Sequence, residues 1–117
     1  MEERDFSFGM CEEQRTMKET IARLVKGVVT DNAHDMDEKK AIPAEFIQKV
    51  WELGATISPI PEEYGGYGME YSPIMNTIIL EELAAGDMAL AIAATLPSSF
   101  LYPVLEMGTD EQKKKYI

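Results

Sequence analysis

The chain has 117 residues, a net charge of -10 and 45% hydrophobic content, which fits one domain with a single core. The charge argues against duplex nucleic acid, which is bound through lysine and arginine at phosphates, and against an anionic membrane surface. A single cysteine, Cys11, rules out an internal disulfide and fits a reducing compartment. The start, "MEERDFSFGMCEE", lacks an apolar segment and is rich in acid, so it matches neither a secretory signal nor a transit peptide. No apolar run is read as long enough to span a membrane. The expected location is bacterial cytoplasm, and a mature mitochondrial matrix protein would read the same way.

From Glu12 to about Met36, apolar residues fall at Met17, Ile21, Leu24, Val25, Val28 and Val29, with charged residues opposite. That spacing predicts one long amphipathic helix. Gly27 inside it costs about 1 kcal/mol relative to alanine, so tertiary packing has to hold the rod. A second helix is expected from Pro43, through Phe46, Ile47, Val50, Trp51 and Leu53, stopping at Gly54. Residues 55–72 show no helical period. A third helix is expected from Pro73 to about Ala85, with Ile74, Ile78, Ile79, Leu83 and Ala84 on one side. The segment 87–106 is apolar nearly all round, which predicts a buried helix, and Pro97 and Pro103 are expected to kink or break it. Thr109 with Gln112 three residues on is a capping-box pattern for a last helix. The fold class expected is all-α: about five helices, in an orthogonal or up-down bundle.

Chemistry is sparse. "PEEYGGYG", Pro61 to Gly68, lacks the lysine of a phosphate loop and carries two glutamates where a phosphate would sit. Its glycines are read as supplying the positive φ angles of a tight turn. His34 is the single histidine, and a closed metal site wants several Cys or His, so no metal is expected. Cys11 has no basic neighbour in sequence to activate it, and Ser98-Ser99 has no nearby base. Glu81 and Glu82 are adjacent and so do not face each other on a helix. One is expected to pair with a base on another helix or to cap, and the other to be solvated. Asp87 is read as the cap of the apolar segment after it, and Lys113-Lys114-Lys115 as the exposed face of the last helix.

Four stretches in order carry more than any one of them: "CEEQRTMKETIARLV", "PEEYGGYGMEY", "EELAAGD" and "GTDEQKKKYI". Together they resemble the N-terminal helical domain of the acyl-CoA dehydrogenase family. There the pieces read Glu-Glu-Gln early in the first helix, then Pro-x-x-Tyr-Gly-Gly-x-Gly. Glu-Glu-Leu-Ala with an aspartate soon after follows, and Gly-Thr-x-Glu-Gln-Lys closes the domain. The resemblance spans nearly the whole chain. It implies a three-domain flavoenzyme in which this domain, residues 1–117, stops before a middle β-domain. Such enzymes oxidise the alpha-beta carbon bond of an acyl-CoA to an enoyl-CoA. FAD belongs to the complete enzyme, and none is expected on this domain alone. The implied partners are the acyl-CoA substrate, electron-transferring flavoprotein and further copies in a homo-oligomer, usually a tetramer. No catalytic residue is implied within these residues, so the isolated chain is expected to be inactive.

Carried over by position, the same resemblance implies that Ala91, Thr95, Leu96 and Ser99 face the acyl chain. Residues 91, 95 and 99 stand four apart and share a helical face if Pro97 does not disrupt it. Their small side chains would leave room for a medium, branched or cyclic acyl group over the shortest ones, or merely allow close helix packing. Two departures stand out. Family members often carry histidine or asparagine near the position of Pro97, where this chain reads "TLPSSFL", and often a threonine cap where it has Cys11. The alternatives are a flavin-dependent monooxygenase or nitroalkane oxidase of the same fold, or a stand-alone helical interaction module.

Overall fold

The stripe from Met17 onward does form one long rod. In a computed structural model that describes residues 9–117, helix α1 (Glu12–Leu24) runs through a π-helical turn (Val25–Val29) into α2 (Thr30–Lys39). The reading of the extreme N-terminus falls partly on residues 1–8, outside the described residues. Gln14 accepts from the backbone N–H of the capping residue Cys11 at 3.0 Å. Inside the π turn the Thr30 N–H and hydroxyl both bond to the Val25 carbonyl, five residues back. Gly27 lies in this turn with open space around the position of a Cβ. Its weak helical preference eases the wider winding rather than a close contact.

Helix α3 (Ala44–Glu52) buries Phe46 and Val50 and stops where Gly54 takes φ +82°, as the sequence predicts. Pro43 is its cap rather than its first helical residue. The chain then folds back on itself. Gly68 and Met69 donate to the carbonyls of Ile60 and Ser58 at 2.8 and 2.9 Å, around a short 3₁₀ turn at Glu62–Tyr64. Gly65 and Gly68 have φ +86° and +61°. Gly66 is needed for a different reason, since a Cβ there would fall on the Ile60 carbonyl.

Helix α4 (Pro73–Gly86) packs between the α1 rod and α5 (Met88–Met107), burying Ile78, Ile79 and Leu83 while leaving Ile74 exposed. At Gly86 a Cβ would stand 2.5 Å from Val25 Cγ1, so glycine is what lets α4 close on the π turn. Glu82 pairs with Lys18 of α1 at 3.4 Å and Glu81 is exposed, the division expected of that pair. The cap Asp87 accepts from the Leu90 N–H at 2.6 Å. Thr109 and Gln112 exchange backbone and side-chain bonds at 2.9 and 3.3 Å to open α6 (Asp110–Tyr116). Five rods and no strand make up the described residues, and they are all-α as expected.

Helix α5 departs from expectation in three ways. It is continuous through Pro97 and Pro103, so of the kink or break expected there the break is absent. It is also not a buried helix: Leu90, Ala91 and Ala94 are in the core, while Leu96 is 61% exposed and Phe100 54%. Met88, Ile92, Leu96 and Phe100 are all more than half exposed and stand four apart, so they form one exposed stripe along α5. Finally, α5 is 20 residues long and an 18-residue window of it has a mean hydropathy of 1.6, so by length and composition alone it could span a membrane, against the expectation that no apolar run is long enough.

Candidate functional site: the exposed face of α5

Proline at 97 has no N–H to give the carbonyl of Ala93, and its ring crowds that carbonyl, so the turn before it is loosened. The next carbonyl is held from outside the helix. Ala94 O accepts from the indole N–H of Trp51 at 2.8 Å and from the hydroxyl of Thr56 at 3.1 Å. A carbonyl has two lone pairs and can accept both. Trp51 sits on α3 and Thr56 just beyond it, so one element braces α5 where proline weakens it.

The four residues assigned to the acyl pocket lie on this braced length of helix, and their exposure is graded. Ala91 is fully buried in the core. Thr95 is half-buried, and its hydroxyl donates to the Ala91 carbonyl at 2.7 Å. That bond fixes the side-chain rotamer and commits its only proton, so the methyl is the free end. Leu96 is exposed, and Ser99 is exposed at the edge of a groove of about 540 Å³ with Phe100, Val104 and Tyr116. Because α5 is continuous, residues 91, 95 and 99 do share a face. Another cavity, about 650 Å³, lies elsewhere, between the start of α1 and Ser58, Tyr71 and Ile74. Neither cavity is lined by Ala91, Thr95 or Leu96.

A third cavity, about 520 Å³, lies beside the other half of α5, among Tyr64, Tyr71, Tyr102, Glu106, Asp110 and Lys113. Tyr71 and Tyr102 meet edge to face at 4.9 Å. Partial loss of solvent, and then the charges of Glu63 and Asp110, raise the phenol pKa of Tyr64 above its ordinary 10.0. His34 is exposed, and no group of three His, Cys, Asp or Glu is placed to hold a metal among the described residues.

A flavin pyrophosphate needs free backbone N–H groups or basic side chains. The glycine loop offers neither: the N–H groups of Gly65, Gly66 and Gly68 bond to Glu62, Pro61 and Ile60. Glu62 and Glu63 flank them. That loop does not fit the cofactor.

The sequence reading missed Trp51 and Thr56. A proline inside a helical run signals a carbonyl short of a donor, but it does not say which distant residue supplies one.

Residues 11–117 match the model of the acyl-CoA dehydrogenase N-terminal domain, which defines the class of domain. The chain belongs to the acyl-CoA dehydrogenase family. It is 36% identical over 97% of its length to a protein of Caenorhabditis briggsae named a probable medium-chain specific acyl-CoA dehydrogenase 2, mitochondrial, and covers 28% of that relative. It is 30% identical over 94% of its length to the glutaryl-CoA dehydrogenase of Desulfococcus multivorans, covering 29% of it. A solved chain from a study of the electron transferring flavoprotein of Acidaminococcus fermentans and flavin-based electron bifurcation superposes with a TM-score of 0.81 at 28% identity. That match covers 94% of this chain and 29% of the other. The chain thus spans under a third of the length of these relatives.

Proposed function

We propose that these residues are the N-terminal domain of an FAD-dependent acyl-CoA dehydrogenase that oxidises the alpha-beta carbon bond of an acyl-CoA. In this reading α5 forms one wall of the acyl-chain pocket, through Ala91, Thr95, Leu96 and Ser99. The flavin and the catalytic carboxylate belong to a middle β-domain and a C-terminal domain, and the isolated chain is inactive. The acceptor is an electron-transferring flavoprotein, the assembly a homo-oligomer, and the compartment bacterial cytoplasm or mitochondrial matrix.

One observation carries the wall: a continuous apolar helix whose outer side is bare at Leu96 and Ser99, with half-buried Thr95 beside them. Thr95 supports it further, because its hydroxyl proton is bound to the helix and the side chain can offer a methyl to an alkyl tail. These residues transfer neither proton nor hydride; they bind the tail and exclude water from it.

The test is Thr95→Leu in the complete flavoprotein, assayed with butyryl-CoA and octanoyl-CoA. Filling the wall should lower kcat/KM for octanoyl-CoA relative to butyryl-CoA by about ten-fold or more, the scale of one to two methylenes in an apolar pocket. An unchanged ratio would remove α5 from the pocket. Strict preference of the unaltered enzyme for butyryl-CoA would count against the open wall. Stoichiometric flavin and turnover on the isolated chain would overturn its assignment as an inactive part.

A further inference from the structure

We propose that Trp51 and Thr56 are positioning residues: they clamp α5 at the turn loosened by Pro97 and so set where Thr95 and Leu96 stand against the acyl chain. The inference rests on the reading of α5 as a pocket wall. Its ground is a convergence. Among the described residues Thr56 is the one buried polar side chain, 2% exposed. A buried hydroxyl demands a partner, and the one it takes is the Ala94 carbonyl at 3.1 Å. Trp51 brings its N–H to the same oxygen at 2.8 Å from 43 residues away. Two long-range donors therefore meet one helical carbonyl, next to the carbonyl that Pro97 leaves without its helical donor.

The sequence neighbours of that carbonyl are the wall. Thr95 and Leu96 follow Ala94 directly, and Ser99 is one turn further along. Residues after the loosened turn keep their direction only as well as the turn is held. Core packing fixes Leu90, Ala91 and Ala94, but Leu96 is exposed and has no such support. The two side chains on and beyond α3 supply it through the Ala94 carbonyl.

The first measurement is hydrogen–deuterium exchange on the 117-residue chain carrying Thr56→Val or Trp51→Phe. Each should speed exchange at residues 95–99 by about five-fold, the weight of one net hydrogen bond, relative to Ile78–Leu83 in α4. Thr56→Ser, which keeps the hydroxyl, should leave it unchanged. Uniform acceleration across both helices would overturn the clamp, because a merely structural role predicts that. Should Thr56→Val fail to fold, Trp51→Phe carries the same reading.

The second measurement, in the complete flavoprotein, is the octanoyl-to-butyryl ratio of kcat/KM. It should shift by about five-fold through KM for each variant, and Thr56→Ser should restore it. If Thr95→Leu moves the ratio while Thr56→Val and Trp51→Phe do not, the clamp fails and the wall stands. If none of the three moves it, the wall fails and the clamp's role in specificity fails with it.

Discussion

The two faces of α5 are both apolar and have opposite situations. Leu90, Ala91 and Ala94 are buried where α3 and α4 pack on the helix; Met88, Ile92, Leu96 and Phe100, four apart along the same helix, are more than half exposed. The difference teaches that hydropathy alone does not decide burial. A helix is covered only where a neighbour lies over it, and apolar residues on its other face are free to meet something else.

Core truncation breaks the comparison most sharply. Leu90→Ala should destabilise the chain by about 2–5 kcal/mol, whereas Leu96→Ala should fall within about 0.5 kcal/mol; urea midpoints compared in one buffer decide it. Equal losses would mean that both faces are packed. Gly86→Ala probes the covered core at the close approach of α4 to the π turn. The added methyl meets Val25 Cγ1 at 2.5 Å, and overpacking of this kind should cost about 1–3 kcal/mol. A neutral thermal melt would show that the π turn yields freely.

The smallest effect belongs to the tyrosine cavity beside α5. The folded chain holds Tyr64 neutral to higher pH than an unfolded one. Its contribution to stability is therefore present below the ordinary tyrosine pKa and is lost as pH rises through the raised one. The phenolate absorbance missing from a Tyr64→Phe variant should accordingly appear above pH 10.0. Appearance at or below that value would contradict the assigned environment.

Local chemistry made much of this fold legible. The Thr109 and Gln112 box, the Asp87 cap, the stop at Gly54 and the pairing of Glu82 all depend on residues within a turn or on a plain need for an opposite charge. The π turn was hidden, because valines at 25 and 29 suit an ordinary helix equally well, and only Gly27 hinted at weak winding. Pro97 does not break the helix, and the donors that reach the adjoining Ala94 carbonyl come from 38 and 43 residues away, beyond the reach of any local pattern. The ordered motifs identified the family, but the gradation from buried Ala91 to exposed Leu96 needed the neighbours in place.

Trp51 has a consequence for how the molecule can be watched. It is the one tryptophan in the chain, the residue is 38% exposed, and its N–H is bound to the turn that precedes Thr95 and Leu96. All indole emission therefore comes from a single address beside the wall of α5. A shift in its wavelength or lifetime on adding an acyl ligand would report on that wall optically, with no label introduced.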